Sequence, residues 1–222
     1  TGNDVITGGA GNDNLTGSAG NDTFNVDSGT DAVADLGGTG SGGESDVLVV
    51  SSGATANATG IKSFTATSST RNDGTANLTS TTGGSTINVS ASAAGLYTLT
   101  GGSGIDNLTG GSGNDIILGD AGNDIIVGGA GNDSISSAKL KNADSIDMGS
   151  GDDTISLMLT GSDGTNSIAN ASLAKLDGGA GWDTLSFYES GANTTAISFS
   201  TANASNFEGI SGTSGGETIT GN

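Results

Sequence analysis

The stretch "GGSGIDNLTGGSGNDIILGDAGNDIIVGGAGNDSIS", residues 101–136, repeats one nine-residue pattern four times. Every copy carries one aspartate and, two places later, a large apolar residue. The aspartates are Asp106, Asp115, Asp124 and Asp133, and the apolar residues are Leu108, Ile117, Ile126 and Ile135. Glycine pairs permit tight turns, and the three residues around the apolar position suit a short strand with one inward side chain. The count of nine therefore predicts a half-coil that consists of a turn and a strand.

Two such half-coils make an 18-residue coil, and stacked coils make a parallel solenoid in which each strand pairs with the strand one coil later. Aspartates 18 residues apart then stack on one edge, about 4.8 Å apart. Stacked carboxylates repel each other unless a cation lies between them, and carboxylate and carbonyl oxygens are the ligands of calcium. The alternative is that each aspartate only accepts backbone hydrogen bonds in its turn, as in solenoids without metal. Because Asn or Ser would serve a turn equally well, the constant aspartate favours calcium.

The composition excludes several classes of protein. The 222 residues include 42 glycines, and 24 acidic against five basic residues give a net charge of −19, which disfavours binding to nucleic acid or to an anionic membrane. Few aromatic residues and high charge are typical of disorder, but the fixed positions of the repeats predict order. No apolar run could span a bilayer as a helix. Histidine and cysteine are absent, so we expect neither a zinc site nor an enzyme. A match to a nucleophile-elbow pattern at 212–216 is expected by chance.

The motif G-G-x-G-x-D-x-(large apolar)-x resembles the repeats-in-toxin (RTX) calcium-binding nonapeptide. Full matches lie at 8–16, 101–109, 110–118, 128–136 and 178–186, and near matches at 17–25, 119–127 and 148–156. The repeat at 26–34 keeps only its aspartate in phase, and the repeat at 212–220 has Glu217 in place of aspartate. The resemblance implies a right-handed parallel β-roll that is loaded with several Ca2+ ions.

The resemblance also implies a ligand pattern, in which each calcium is held by the aspartates of turns n and n+2 and by main-chain carbonyls of both turns. On this pattern the ligand sets are Gly102, Gly104 and Asp106 with Gly119, Ala121 and Asp124; Gly111, Gly113 and Asp115 with Gly128, Ala130 and Asp133; Gly9, Gly11 and Asp13 with Val26, Ser28 and Asp31; Gly2 and Asp4 with Gly17, Ala19 and Asp22; and Gly129, Gly131 and Asp133 with Met148, Ser150 and Asp153. Asp144 and Asp183 are further candidate ligands beyond insertions that break the register. Glu217 carries one methylene too many for the pattern.

Between the RTX-like blocks, residues 51–100 are rich in Ser, Thr, Ala and Gly, which is typical of a flexible linker. However, strand-forming residues recur every ten positions around Leu78, Asn88 and Thr98. We therefore predict metal-free coils of ten-residue half-coils here, and insertions at 157–174 and 187–207. The whole chain, 1–222, is predicted to be one β-solenoid: an RTX block (1–50), metal-free coils (51–100), a second RTX block (101–156) and degenerate repeats (157–222). Both ends fall within a repeat, so we expect a fragment of a longer protein.

Two classes of function agree with this pattern. The first is a secreted structural protein of the bacterial cell surface, an S-layer subunit or a large adhesin, which would self-associate into a lattice or filament or bind cell-surface glycans. The metal-free coils and the absence of catalytic residues favour this class. The second is the RTX module of a type I-secreted enzyme or toxin. A catalytic domain elsewhere in the full-length chain would decide in favour of this second class. Trp182, the sole tryptophan, is expected to cap the roll or to contact a partner.

Overall fold

The computed structural model describes residues 2–37, 45–81, 83–93, 95–137, 144–159, 175–189, 197–199, 204–211 and 219–221. Within these ranges the chain forms β-strands and turns without a helix, and the paired strands run parallel to each other. The predicted all-β parallel solenoid is therefore confirmed. The described part of the chain contains no helix that could cross a membrane.

The strands in the first half of the chain are β1 (Val5–Thr7), β2 (Asn14–Thr16), β3 (Thr23–Val26), β4 (Thr30–Ala34), β5 (Val47–Val50), β6 (Thr55–Ile61), β7 (Ser63–Thr65), β8 (Arg71–Asn72), β9 (Thr75–Ser80), β10 (Thr86–Asn88) and β11 (Leu96–Ser103). Those in the second half are β12 (Asn107–Thr109), β13 (Ile116–Ala121), β14 (Ile125–Ala130), β15 (Ser134–Ser137), β16 (Ser145–Ser150), β17 (Thr154–Leu159), β18 (Lys175–Asp177), β19 (Thr184–Glu189), β20 (Ile197–Phe199), β21 (Ala204–Ser205), β22 (Gly209–Ser211) and β23 (Ile219–Gly221).

Three parallel sheets form the sides of the stack. The long sheet has the order β2-β4-β6-β9-β11-β13-β15-β17-β19-β22. The N-terminal sheet has the order β1-β3-β5-β8, and the C-terminal sheet has the order β21-β18-β16-β14-β12-β10-β7. In addition, β20 pairs with β23. The long sheet therefore links the two RTX-like blocks through the segment between them.

The nine-residue repeats form half-coils as predicted. Ile117 pairs with Ile135, and Leu108 pairs with Ile126, so strands in register come from residues 18 positions apart. Successive repeats alternate between the long sheet and one of the other two sheets. The apolar residue of each repeat points inward and is buried, as at Leu108 and Ile117.

The segment between the blocks consists of strands in register with both neighbours, but its coils differ from the predicted pair of ten-residue half-coils. Consecutive strands β5, β6 and β7 belong to the N-terminal, long and C-terminal sheets in turn, and β8, β9 and β10 repeat that order. These coils therefore have three sides. The third side lengthens the coil, since Phe64 pairs with Ile87 and Leu78 pairs with Leu99.

Large apolar side chains fill the core in both kinds of coil. Phe64, in the three-sided part, and Tyr97, on the strand that follows it, are fully buried. Phe24 is also fully buried, in the N-terminal RTX-like block. Several strands of the second block stack a single medium-sized apolar side chain, such as Ile126 above Leu108. A two-sided coil can therefore also bury an aromatic ring.

The insertions shift the register where expected, although the strands run further than predicted. Ile126 pairs with Ile146 and Ile135 with Ile155, which places 20 residues in this coil. The insertion expected before Asp144 falls among residues 138–143, which lie outside the described residues. The predicted insertions at 157–174 and 187–207 begin too early, because β17 and β19 continue to Leu159 and Glu189 and pair with each other along their whole length. The strands β20 and β21 also fall within the second of these ranges.

Replacement of Phe64 by alanine should destabilise the fold, because Phe64 is fully buried in the three-sided core. Removal of a buried phenylalanine ring costs about 3–5 kcal/mol. Urea unfolding of the Phe64→Ala chain in saturating calcium, followed by circular dichroism, would measure the loss. The neighbouring Thr65→Ala change, at an exposed outward position of the same strand, is the matched control. An equal stability of the two variants would contradict this packing.

Candidate calcium sites

The predicted aspartates come together in three columns that run along the stack. The long-sheet column lies at the start of the strands of the long sheet and consists, coil by coil, of Asp13, Asp31, Ala56, Ala76, Tyr97, Asp115, Asp133, Asp153, Asp183 and Glu208. The N-terminal column consists of Asp4, Asp22 and Asp46. The C-terminal column consists of Ser85, Asp106, Asp124 and Asp144.

In every aspartate of the columns after Asp4 and Asp13, one carboxylate oxygen accepts a backbone N–H of the preceding coil. The backbone N–H of Asp115 donates to Oδ1 of Asp133 at 2.7 Å, and that of Asp133 donates to Oδ1 of Asp153 at 2.7 Å. The same contact joins Asp106 to Asp124 at 3.0 Å. This is the hydrogen bond that the metal-free alternative expects of an aspartate in a turn. This hydrogen bond accounts for Oδ1 of these carboxylates but not for Oδ2.

The second oxygen, Oδ2, is in several cases buried without any hydrogen-bond donor among the described residues. The aspartates with such an oxygen are Asp13, Asp31, Asp133, Asp153 and Asp183. A buried carboxylate oxygen without a partner is costly. In Asp106 and Asp115, Oδ2 accepts the N–H of Gly102 at 3.0 Å and of Gly111 at 2.7 Å. A cation beside these Oδ2 atoms would supply the interaction that the protein itself does not provide.

A carbonyl oxygen of the next coil faces the same space as Oδ2. A Cβ atom on Gly110 would lie 2.7 Å from Oδ2 of Asp115 and would also meet the carbonyl oxygen of Gly128. A Cβ atom on Gly128 would lie 2.6 Å from Oδ2 of Asp133 and would meet the carbonyl oxygen of Met148. The first glycine of the repeat therefore keeps open a point where a carboxylate and a carbonyl of successive coils converge.

The same convergence occurs once more in the second block, and in the N-terminal block two carboxylates meet at the equivalent place. The point beside Gly101 faces Oδ2 of Asp106, at 2.8 Å, and the carbonyl oxygen of Gly119. In the N-terminal block, the point beside Gly8 faces the Oδ2 atoms of both Asp13 and Asp31. The oxygens present, carboxylate and carbonyl, therefore fit a hard cation such as calcium.

The predicted carbonyl ligands occupy two kinds of position. Some already accept a backbone N–H from a neighbouring coil and keep a second lone pair: Ala19, Val26, Gly111, Ala121 and Ser150. The others lie in turns or at strand ends near the aspartates: Gly2, Gly9, Gly11, Gly17, Ser28, Gly102, Gly104, Gly113, Gly129, Ala130 and Gly131. Coordination by these carbonyls stays a prediction.

The structure restores the register of two aspartates that follow insertions. Oδ1 of Asp144 accepts the N–H of Asp124 at 2.8 Å, and Oδ1 of Asp183 accepts the N–H of Asp153 at 2.9 Å. Both side chains are buried. Asp144 and Asp183 therefore occupy the same positions in their columns as the aspartates of the regular repeats. Glu217 lies outside the described residues.

Two acidic residues of the columns were missed by the sequence analysis. Asp46 is buried and accepts the N–H of Asp22 at 2.8 Å and of Gly37 at 2.7 Å. Glu208 accepts the N–H of Asp183 at 2.9 Å. The signal for Asp46 was an acid placed two residues before the buried Leu48, with only Gly42 left of the glycines of the motif. Glu208 likewise precedes Ile210 by two residues, but it has none of the preceding glycines, and the strand pairing is what places it in the column.

Burial raises the pKa values of the stacked aspartates. Loss of hydration raises the pKa of Asp133 to about 7 and those of Asp124 and Asp153 to about 6; hydrogen bonds from the backbone oppose the shift, and neighbouring carboxylates add to it. Burial also raises the pKa values of Asp115, Asp144 and Asp183. The long-sheet and C-terminal columns therefore hold carboxylates whose ionised form is disfavoured in the metal-free fold.

A scan against models of protein families matched two segments, residues 1–33 and 100–135, to the RTX calcium-binding nonapeptide repeat (4 copies). Both segments resemble RTX repeats. Searches of curated proteins and of solved structures gave no match. The RTX match ends at residue 135, whereas the long-sheet column continues in register through Asp153 and Asp183 to Glu208. The coil geometry of the RTX repeats thus extends beyond the segments that the family model matches.

In the metal-free chain, β-structure should be favoured by acid. The unfolded-state pKa of aspartate is about 3.9, whereas burial raises the folded-state pKa of Asp133 to about 7. A raised carboxylate pKa stabilises the fold fully below pH 4, and this contribution is lost as the pH rises to about 7. Circular dichroism in chelator should therefore show more β-structure at pH 5 than at pH 8.

Calcium should reverse this trend, because the metal requires the ionised carboxylates. The calcium concentration at the folding midpoint should decrease as the pH is raised from 5 to 8. A chelated chain with equal or greater β-content at pH 8 would contradict the raised pKa values.

Proposed function

We propose that this chain is a calcium-binding structural module of a secreted protein, and that calcium drives its folding. The observation that carries the proposal is the set of buried Oδ2 atoms without a donor, each stacked in register one coil from the next. Beside Oδ2 of Asp133, the carbonyl oxygen of Met148 in the following coil converges on the same point. An ion at such a point would bridge two coils, so that binding and stacking would be one event.

Calcium suits the available donors better than other common metals. The ligands are all oxygen, and the sequence contains no histidine or cysteine for zinc or copper. No group of three or more acidic side chains that could hold a metal occurs in the described ranges. Each proposed site must therefore combine a pair of carboxylates with carbonyl oxygens, and calcium accepts such mixed sets in flexible geometry.

The proposed ligands are the carboxylates of each column together with the turn carbonyls that the RTX resemblance implies. The best supported pairings join Asp106 to the carbonyl of Gly119, Asp115 to that of Gly128, and Asp133 to that of Met148. The pairs Asp124–Asp144 and Asp153–Asp183 have the same backbone contact as the regular repeats. We include them as sites on that basis.

Electrostatics links metal binding to folding. The chain carries a net charge of −19, and the columns bring its carboxylates close to one another. If about six ions bind, each with two positive charges, the net charge falls to roughly −7. Without metal, the RTX-like coils bury only one or two apolar side chains per strand against this repulsion. The apo chain should therefore be largely unfolded and expanded in these blocks.

The proposed location is outside the cell, at the bacterial surface. Calcium sites of modest affinity, like those of extracellular modules, fill at the millimolar calcium concentration outside a cell. They would stay empty at the low calcium concentration of the cytosol. An unfolded chain could then be secreted and fold on arrival. The RTX match supports this, because RTX repeats are associated with type I secretion.

Within this class, we propose a structural role in an S-layer or an adhesin, with self-association into a lattice or filament, or binding to surface glycans. The support is the three-sided, metal-free core between two calcium blocks, which makes a rod whose middle does not depend on the ion. Assembly of the full-length protein into a lattice or filament on calcium addition would agree with this role. A monomeric protein with a catalytic domain would instead indicate the module of a secreted enzyme or toxin.

Calcium titration followed by far-ultraviolet circular dichroism tests the proposal. Coil should convert to β-structure as calcium is added, a chelator should reverse the change, and sodium at equal ionic strength should not reproduce it. The Asp133→Asn variant keeps an oxygen for the N–H of Asp115 but loses the charge, so its folding midpoint should need about tenfold more calcium, or more, by analogy with losses at outer-shell positions.

The matched control is Asp73→Asn, which removes the same charge from an exposed residue that pairs with Arg71. Its calcium midpoint should equal that of the unmodified chain. Equal midpoints for the two variants, or a chain that is fully β-structured in chelator, would refute the proposal.

A further inference from the structure

The long-sheet column ends in a turn that is shorter than those before it. Asp177 pairs with Ser205, and Thr184 pairs with Gly209. The turn between these strands therefore contains residues 178–183 in one coil but only 206–208 in the next. Asn206 adopts a positive φ of 57°, which allows the chain to reverse within so few residues.

The longer side chain of Glu208 compensates for the shorter turn. Its Oε2 accepts the N–H of Asp183 at 2.9 Å. The coil before has the equivalent bond, in which Oδ1 of Asp183 accepts the N–H of Asp153, also at 2.9 Å. The backbone N–H groups of Glu208 and Gly209 donate to the carbonyl oxygen of Asp183 at 3.1 and 2.9 Å, which fixes the turn against the coil below. The extra methylene of glutamate, a misfit in a full-length turn, here places the carboxylate in the column.

The space beside Glu208 contains oxygens that lack a partner. Asp183 is fully buried, and its Oδ2 has no hydrogen-bond donor among the described residues. A Cβ atom on Gly178 would meet the carbonyl oxygen of Asn206 and would lie 2.8 Å from Cβ of Asp183. Gly178 therefore leaves room for the carbonyl oxygen of Asn206 to approach the side chain of Asp183, although here the atom next to the glycine is Cβ of the aspartate, whereas at Gly110 and Gly128 it is Oδ2.

We infer that Asp183, Glu208 and the carbonyl oxygen of Asn206 form a terminal calcium site at the end of the long-sheet column. The site lies outside the segments matched by the RTX family model, and its ligand is a glutamate from a shortened turn. This inference rests on the proposed function, because the ion at the terminal site would again be calcium. Its effect would be to fasten β22 to the coil that contains Asp183, so that the last described coil of the long sheet stacks only when the metal is bound.

Trp182 provides a local probe for this site. It directly precedes Asp183, its side chain is 63% exposed, and it is the sole tryptophan. Terbium is a hard cation that takes oxygen ligands as calcium does, and its luminescence is sensitised by a nearby indole. Excitation of Trp182 therefore reports terbium bound beside Asp183 and not terbium in the distant N-terminal block.

The experiment compares three variants of the full chain by terbium luminescence and by counting bound calcium ions in equilibrium dialysis. Glu208→Gln should bind one calcium ion fewer than the unmodified chain and should need about tenfold more terbium, or more, to fill the site, as when a supporting ligand interaction is lost. Glu208→Asp should show the same loss, because aspartate cannot reach the column from the shortened turn. Asp152→Asn is the control: it removes the same charge nearby, and its side-chain oxygen can still accept the N–H of Trp182.

The outcomes separate this site from the proposed function. An unmodified chain that binds no calcium would refute both. A chain that folds with calcium while Glu208→Gln keeps the same number of ions and the same terbium midpoint would refute the terminal site alone. Full binding by Glu208→Asp would show that the turn does not require the longer side chain, and would also overturn the site. Circular dichroism at saturating calcium should be alike for all variants, because Glu208 lies exposed at the end of the column.

Discussion

The whole stack depends on buried aspartates in which one carboxylate oxygen accepts a backbone N–H and the other accepts no hydrogen bond from the described residues. The backbone N–H of each aspartate binds Oδ1 of the aspartate one coil later, so the coils are held in register by the same side chains that must repel each other. Oδ2 is then directed away from that donor and, in Asp133, Asp153 and Asp183, meets none. In the regular repeats, glycine at the first position leaves open the space next to Oδ2, which a Cβ atom on Gly110 or Gly128 would fill. Turn sequence, coil length and metal affinity thus follow from one geometry.

The coils between the two RTX-like blocks show what fills the long-sheet column where aspartate is absent. In the long-sheet column Ala56, Ala76 and Tyr97 stand where the blocks have aspartate. Tyr97 fills its position with a buried ring, its hydroxyl lies 2.5 Å from the Ser92 hydroxyl, and its N–H donates to Oδ1 of Asp115 at 2.9 Å. Burial of an aromatic side chain contributes roughly 1.5–3 kcal/mol. Apolar burial therefore stabilises the same coil path that calcium is proposed to stabilise in the blocks.

A second ladder of side chains stacks the coils independently of metal. Oδ1 of Asn114 accepts the N–H of Asn132 at 2.8 Å, and Oδ1 of Asn132 accepts the N–H of Asp152 at 3.0 Å. These bonds run from each coil to the next in the direction opposite to those of the aspartates. Asp152 continues the ladder to Trp182, whose side chain has no comparable acceptor, so the series ends there. Where an asparagine precedes the aspartate of a repeat, as at Asn114 and Asn132, its side chain is thereby explained as an acceptor for a backbone N–H of the next coil.

The strict count of nine was sufficient to predict the 18-residue register, the inward apolar residue and the stacked aspartates, because each depends only on local spacing. The third side of the middle coils could not be predicted, since short strands such as Arg71–Asn72 are defined by their pairing and not by their sequence. Asp46 and Glu208 were missed for a related reason: insertions and a shortened turn alter the count, and only pairing with the previous coil restores it. Where the spacing is broken, the sequence identifies residue types but not which coil they meet.

The most direct test is the position of the ions in a crystal of the chain grown with calcium, located from the anomalous scattering of calcium. Peaks should lie between Oδ2 of Asp133 and the carbonyl oxygen of Met148, and at the equivalent points beside Asp106 and Asp115, with calcium–oxygen distances of about 2.3–2.6 Å. A map without peaks at these points, in which Oδ2 of Asp133 is instead bound only by water or by a backbone N–H, would contradict the role of these carboxylates as calcium ligands.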